Sequence, residues 1–278
     1  MVTGTLRVRG GTRGRRVRAL VAGAVLVAVL PAGGRAVVVA VAGRTHGPAR
    51  MGAARRRKPA LTTWPQLAAA APGASPRASV GPLFYPGGGH QCTASVVAGP
   101  GGDLLVTAAH CVYGGGGYRS GLRFAPGYIA GRSPEGVWQV VAVFVDSRWI
   151  GSADPDDDVA FLRVRPLNGR TVEQVSGAHA LGVGYGPVNQ VTVTGYPADG
   201  DRPLSCGGSS AAQSATQMRF DCDGFTSGTS GGPWVTGDGS VIGVIGGHHA
   251  GGYRPSVSYS PRFGDQVKAL YDTAIGTS

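Results

Sequence analysis

Three short segments decide the fold of this chain: Leu105-Val-Thr-Ala-Ala-His-Cys111, Asp157-Asp-Val-Ala-Phe-Leu162 and Gly228-Thr-Ser-Gly-Gly-Pro233. Each segment places one reactive side chain in a run of small or apolar residues: His110, Asp158 and Ser230. A base, an orienting carboxylate and a serine hydroxyl are the minimum set for acyl transfer through a hydroxyl group. One such segment arises easily by chance, but three in this order rarely do.

In their order of histidine, aspartate and serine, the segments resemble those of the trypsin-like (chymotrypsin-fold) serine peptidases of the bacterial secreted type. The resemblance covers roughly residues 80–278. It implies an all-β fold of two six-stranded antiparallel β-barrels, with the active site between them and a C-terminal helix. His110 as the general base and Asp158 as its orienter would lie in the first half, and the nucleophile Ser230 in the second.

The acid has to be chosen from a cluster of four aspartates: Asp154, Asp156, Asp157 and Asp158. Asp158 is the last before the apolar run 159–162, so its side chain can be buried beside a strand and accept a hydrogen bond from the imidazole. The resemblance also places the acid directly before such a run. We therefore predict Asp158, and Asp157 stays the alternative.

The loop around the predicted nucleophile is rich in glycine, which allows a sharp turn and close approach of a substrate carbonyl. The N–H groups of Gly228 and Ser230 are the predicted oxyanion hole. One departure from the family stands at Thr229, where most members carry an aspartate that pairs with a newly freed N-terminus. A hydroxyl cannot form that ion pair, so we expect a hole held by neutral hydrogen bonds, as in members similar to glutamyl endopeptidases, which also lack this aspartate.

The resemblance also implies a primary substrate pocket. Its residues would be Gly224, six positions before Ser230, together with Ile245, Gly246 and Gly247. Cleavage after arginine or lysine needs a carboxylate at the pocket floor, where this chain has Gly224. This argues against basic specificity and fixes no other preference.

All four cysteines lie in the last 200 residues, and in an exported chain an even number predicts disulfides. Of the three possible pairings we favour the local one, Cys92–Cys111 with Cys206–Cys222. The resemblance supports the first pair, because family members link the histidine loop to a neighbouring strand. A zinc site is the alternative, but the close spacing typical of zinc ligands is missing, so no metal and no cofactor are expected.

Short β-rich runs between turn signals predict a sandwich or barrel. They cover residues 92–97, 104–107, 137–145, 159–164, 191–194, 218–221, 233–235 and 240–245. The run 137–145 is nearly all apolar, which is typical of a strand buried on both faces or lying within a barrel wall. Only residues 265–275 have helical periodicity, and the glycine tract 114–117 predicts a mobile surface loop.

The net charge of +11 is carried by the N-terminal segment. Residues 1–78 hold 14 Lys and Arg and no acidic residue, whereas residues 79–278 hold 12 against 15 Asp and Glu. The last 200 residues are therefore mildly acidic, and nucleic acid is not an expected partner.

The N-terminal segment predicts a signal peptide over 1–42, because it combines arginines, an apolar run over 19–30 and a small-x-small site at 40–42. An uncleaved membrane anchor is the alternative, although the run is short of the about 20 residues that a span needs.

Residues 43–78 are rich in Ala, Pro and Arg without a hydrophobic period, so they predict a disordered linker or a pro-segment. Residues 79–278 are the predicted peptidase domain, with the change-over between its halves near 165–185. We expect a monomeric, secreted serine endopeptidase that acts on proteins or peptides and meets a membrane only if the leader is uncleaved. The alternative is a non-catalytic secreted binding module with the same fold, which only Thr229 favours.

Overall fold

The computed structural model describes residues 78–276, and strands dominate them. The strands before residue 165 are β1 (Val80–Phe84), β2 (His90–Val96), β3 (Leu104–Thr107), β4 (Tyr113–Gly114), β5 (Gly117–Tyr118), β6 (Arg123–Phe124), β7 (Trp138–Val145) and β8 (Ala160–Val164). Those after it are β9 (Ala180–Leu181), β10 (Gln190–Gly195), β11 (Leu204–Ser209), β12 (Ala211–Ala212), β13 (Gln217–Asp221), β14 (Pro233–Thr236), β15 (Ser240–Val244) and β16 (Val257–Pro261). The α-helices are α1 (Ser147–Ser152), α2 (Val172–Ser176) and α3 (Asp265–Gly276).

The first half is a closed barrel of six strands in the order β1-β2-β3-β8-β7-β6. Every neighbouring pair is antiparallel. Closure leaves no free sheet edge around the barrel, and its interior is filled by apolar side chains. Fully buried members of its core include Trp138, Leu83, Leu105, Phe124 and Phe161.

The second half divides its strands between two sheets. One has the order β11-β10-β14-β15-β9, with β9 parallel to β15, and the other has the order β12-β13-β16. Both sheets contribute to one apolar cluster, which includes Val193, Met218, Phe220, Trp234 and Ile242. The prediction of an all-β protein is therefore confirmed, with the detail that one half closes as a six-stranded barrel and the other is built from two sheets around a shared core.

The predicted C-terminal helix is present as α3, and it packs against the first barrel. Val267 and Ala274 are buried in the core cluster of that barrel. The hydroxyl of Tyr271 donates a hydrogen bond of 2.8 Å to the carbonyl of Ala98, and its ring meets Phe161 edge to face. The chain therefore ends by returning from the second half to cover the first.

The run 137–145 lies in the barrel wall, which is one of its two predicted settings, whereas the prediction of a single helix is wrong. The run 137–145 forms β7, but most of its residues are only half-buried and Val141 is 49% exposed, because an irregularity of register sets this residue outside the pairing with β8. Two helices that were not predicted, α1 and α2, are also present. They are too short to show a periodic pattern in the sequence. Helix α2 begins at a capping box in which the side chains of Thr171 and Gln174 each bind the backbone of the other.

The glycine tract is a hairpin, where a mobile loop was expected. Strands β4 and β5 pair, with Tyr113 opposite Tyr118. The turn between them is Gly115-Gly116, and both residues have positive φ, at 61° and 83°. Two-residue hairpin turns of this kind require positive φ at both positions, which glycine adopts without strain.

The predicted signal peptide, the alternative membrane anchor and nearly all of the predicted linker lie outside the described residues. Between β8 and β9 the chain runs through α2, in the region where we predicted the change-over. Within residues 78–276, no helix is long and apolar enough to cross a membrane.

Candidate active site

The pairing of β3 with β8 brings His110 and Asp158 together. Thr107, the last residue of β3, lies opposite Ala160, the first of β8. His110 follows β3 in a 3-10 turn, and Asp158 lies two residues before β8 begins. Because the strands are antiparallel, both residues emerge at the same end of the barrel.

The carboxylate of Asp158 is fully buried and accepts three hydrogen bonds. Its Oδ2 accepts from His110 Nδ1 at 2.7 Å and from the Gly247 amide at 2.8 Å. Its Oδ1 accepts from the His110 amide at 2.8 Å. A buried charge is tolerated only when it is paired and hydrogen-bonded, and these donors meet that condition. They also fix the imidazole with its proton on Nδ1 and leave Nε2 as an acceptor.

The pKa of His110 is raised above its ordinary value. Burial by itself would lower this pKa, and so would the positive charge of Arg119. The negative charge of Asp158 and its hydrogen bond to the ring outweigh both effects. Asp158 therefore holds the imidazole in place and also favours its protonated form.

Asp157, the alternative acid, lies apart from the imidazole. It is buried, and Arg148 Nη2 lies 2.7 Å from its Oδ1, an ion pair without the alignment of a hydrogen bond. Burial raises the pKa of Asp157 to about 6, against the lowering effect of Arg148. The geometry thus separates the two neighbours: Asp158 faces the histidine, and Asp157 faces α1.

Ser230 lies on a loop that the first barrel holds in place. Its carbonyl accepts a hydrogen bond of 2.7 Å from the Thr93 amide of β2. The next residue, Gly231, has a φ of 79°, and a Cβ there would collide with the side chain of Thr107 and the carbonyl of Thr93. Only glycine fits at this point, which explains why a glycine follows the serine.

Within residues 228–232, two backbone amides have no acceptor. The N–H groups of Thr229, Gly231 and Gly232 all donate to backbone carbonyls. Among the bonds of the described chain, the N–H groups of Gly228 and Ser230 form none. The orientation of the preceding peptide is fixed, because the Ser227 carbonyl accepts from the Ala198 amide at 2.7 Å. These two amides are the pair that the sequence predicted for the oxyanion hole.

Thr229 is buried and forms a hydrogen bond within its own turn, at the position where an aspartate would form an ion pair. Its hydroxyl donates to the carbonyl of Thr226 at 2.7 Å, and its amide donates to the same oxygen at 3.2 Å. Its side chain also lies against Gly195, where a Cβ would be 2.6 Å from the Thr229 Cβ. The turn before Ser230 is thus closed by neutral hydrogen bonds.

His110, Gly228 and Ser230 line one open cleft of about 300 Å³. Sequence reasoning missed the other side chains of this cleft, which are Tyr85, Gln91, Arg119, Ala198 and Ser227, because none lies in a motif. Within the described chain the Ser230 hydroxyl makes no hydrogen bond. This includes a bond to the acceptor that the serine would need, His110 Nε2, which lines the same cleft.

The predicted pocket residues lie outside the lining of this cleft. Gly247 donates to Asp158, and a Cβ on Gly246 would lie 3.0 Å from the Asp158 Oδ2. Ile245 is buried in the core of the second half, while Gly224 has a φ of 97° and abuts Leu204. Their role in binding a substrate side chain stays a prediction, but the glycines at 246 and 247 have a second use, since they let the backbone reach the carboxylate.

Both predicted disulfides are present, Cys92–Cys111 and Cys206–Cys222. The first joins β2 to the turn that carries His110. Ligand atoms of these two cysteines and of His110 lie within 4.8 Å of one another. The sulfurs are bonded to each other and are not thiolates, so this group is not a zinc site.

The fold and this arrangement define a chymotrypsin-fold peptidase. The family described as the trypsin-like peptidase domain matches residues 92–244, which is more than half of the chain. The chain therefore belongs to the trypsin-like peptidase family. No curated protein matches it.

Solved structures of bacterial proteases are similar to the chain. The protease Anisep from Arthrobacter nicotinovorans is 27% identical, with a TM-score of 0.66, over 73% of this chain and 97% of Anisep. A thermostable serine protease, AL20, from an extremophilic microorganism is 28% identical, with a TM-score of 0.66, over 73% and 99%. A Glu endopeptidase is 19% identical, with a TM-score of 0.61, over 73% and 92%, and shares the fold. Together with the family match, these similarities support a serine protease function.

Proposed function

We propose that the protein is a secreted serine endopeptidase that cuts peptide bonds through an acyl-enzyme on Ser230. In the first step His110 Nε2 takes the proton of the Ser230 hydroxyl while its oxygen attacks the substrate carbonyl. His110 then gives that proton to the leaving amine, the C–N bond breaks and the acyl group stays on Ser230. Water, activated by the same imidazole, releases the acid product and restores the serine.

The hydrogen bonds around Asp158 support the role of His110. An imidazolium forms in each transition state, and a buried carboxylate at 2.7 Å stabilises it without rearrangement. The proton held on Nδ1 leaves Nε2 free to accept the proton of the serine. Asp158 is the orienter in this proposal, and it stays ionised throughout.

The two amides without an acceptor support the role of the loop. When the carbonyl becomes tetrahedral, its oxygen becomes negatively charged, and the N–H groups of Gly228 and Ser230 bind it. Removal of one such donor costs about 3–4 kcal/mol of transition-state stabilisation in serine proteases. Because the Ser227 carbonyl is tied to Ala198, the Gly228 amide is oriented before a substrate arrives.

Export is the remaining part of the proposal. Both disulfides require an oxidising compartment to form and persist. The basic and apolar leader provides a signal for reaching it. No metal or cofactor takes part in the reaction we propose.

The observation that carries the proposal is that His110, Gly228 and Ser230 line one cleft, while the buried Asp158 binds Nδ1 of the His110 ring. Its test is covalent labelling of the purified full chain with a fluorophosphonate, read by intact mass and peptide mapping. We expect one adduct, located on Ser230 and lost in Ser230→Ala and His110→Ala. Ser227→Ala is the matched control, since it removes a hydroxyl from the same loop and keeps the adduct. A folded protein that gains no adduct would favour the non-catalytic binding module.

A further inference from the structure

Arg119 places a positive charge in the proposed cleft, and the surrounding backbone fixes its position. It follows β5 directly, and its amide donates to the Val112 carbonyl at 2.8 Å. The Gly115-Gly116 turn thus folds the chain back so that Arg119 lies beside the turn that carries His110. The cation is near enough to lower the pKa of that histidine, which the charge of Asp158 offsets.

An aromatic ring supports the guanidinium. Arg119 Cζ lies 5.4 Å from the centroid of the Tyr85 ring, within the range of a cation–π contact. The ring is held in turn, because the Tyr85 hydroxyl donates to the Cys111 carbonyl at 2.6 Å. Burial raises the pKa of Tyr85 to about 12, with Arg119 acting in the opposite sense, so the ring stays neutral.

Arg119 has no anionic partner in the described part of the chain. Like most arginines of residues 78–276 it forms no ion pair, but it alone among them lines the cleft that contains His110 and Ser230. An exposed cation in this cleft that has no anionic partner is free to bind an acidic group of the substrate.

The position of Arg119 indicates which half of the substrate meets it. The acyl half is predicted to lie against Gly224, Gly246 and Gly247, which do not line the cleft that contains Arg119. On that prediction the other half, which leaves as the amine, lies along Tyr85 and Arg119. Arg119 also lines a second cavity of about 310 Å³, so the guanidinium is shared by the two concave surfaces.

We propose that Arg119 is a specificity-determining residue that binds an aspartate or glutamate side chain on the leaving-group side of the scissile bond. This inference rests on the proposed peptidase function and adds a substrate class to it. The guanidinium offers a fork of donors that matches a carboxylate, while the ring of Tyr85 restricts its orientation. Because the pair is solvent-exposed, its contribution is modest and falls as the salt concentration rises.

The test compares the residues that follow each cut in a proteome-derived peptide library. The full-chain enzyme, Arg119→Gln and Arg119→Glu digest the same library, and mass spectrometry reads both sides of every cleavage. We expect Asp and Glu to be enriched about two- to fivefold among the first three positions after the cut, which is the range for an exposed ion pair. Arg119→Gln should remove this enrichment, and Arg119→Glu should favour Lys and Arg instead.

Arg123→Gln is the matched control. It removes an equal charge from an exposed site on β6 that lines neither cavity, so the enrichment should persist. An enrichment that survives in Arg119→Gln, or is lost equally in Arg123→Gln, overturns the proposal. Wild-type protein that gains the fluorophosphonate adduct on Ser230 but cuts without acidic enrichment overturns the role of Arg119 alone. Folded protein that neither labels nor cuts overturns the peptidase function and this inference with it.

Discussion

Replacement of Asp158 by asparagine tests how the site works with almost no change of shape. The carboxylate accepts from three N–H groups, two on Oδ2 and one on Oδ1. An amide has one oxygen, so its NH₂ group must face at least one of these donors. If the NH₂ group takes the Oδ2 position, it faces both the Gly247 amide and His110 Nδ1. The imidazole can then accept from the NH₂ group only by moving its proton to Nε2, which abolishes its action as a base, and the Gly247 amide is left without an acceptor.

Two magnitudes follow from this geometry. The wrong tautomer lowers kcat by about 10⁴, the size of the same change in serine-protease triads, or about 5.4 kcal/mol in the activation barrier. A buried donor left without an acceptor costs about 1–3 kcal/mol of folding free energy. The pKa of His110 should fall below that of the wild type, because the raising effect of the carboxylate is removed while burial and Arg119 still lower it.

The assay combines labelling kinetics with an NMR titration of the His110 ring. In the wild type, labelling should decline toward low pH with a midpoint above the ordinary histidine value of 6.5, since a protonated ring is no base. In Asp158→Asn, both the labelling rate and the titration midpoint should fall. Asp157→Asn is the matched control, as it changes a neighbouring buried carboxyl that faces Arg148. Equal losses of labelling in both variants, or an unchanged His110 midpoint in Asp158→Asn, would refute the reasoning.

Two further predictions concern the supports of the site. Thr229→Val removes the hydroxyl that donates to Thr226, so the free energy of unfolding should fall by about 1 kcal/mol in urea denaturation. Loss of an oxyanion donor slows such reactions by about 100-fold, and labelling of Thr229→Val should slow by much less. A larger drop in a folded variant would contradict an oxyanion hole held by neutral hydrogen bonds. Replacing the Cys92–Cys111 pair by alanines should cost about 3 kcal/mol and slow labelling, because this bond holds the turn of His110. The same change at the other disulfide should cost a similar amount of stability with little effect on labelling.

The sequence predicted the elements that have local patterns. The run 104–107 matches β3 residue for residue, and the glycines at 237 and 239 predict the hairpin turn that joins β14 to β15. The C-terminal helix begins at Asp265 as its apolar period indicated. In each case the deciding interaction, a buried face or a turn that needs glycine, joins residues close in the chain.

Features that depend on distant contacts could not be predicted. The irregular register that exposes Val141 is set by the pairing of β7 with β8 and leaves no mark in an apolar run. The glycine tract had the composition of a loop, although two adjacent positive φ values also suit a tight hairpin. Composition could not decide between them, because the choice depends on whether the flanking tyrosines pair, and their rings do meet edge to face at 5.0 Å.

The proposed site also combines residues that local motifs mark with residues that only the fold brings near. The histidine, the aspartate and the serine each lie in a local motif, because each needs small neighbours or a strand end to present it. The groups that set their properties lie far away in the chain: the Gly247 amide is 89 residues from Asp158, and Thr93 is more than 100 residues from the Ser230 that it holds. Arg119 belongs to this second class, since its charge acts on His110 through space and no motif marks it. Motifs therefore indicate the reaction, whereas the choice among substrates depends on side chains that only the fold assembles.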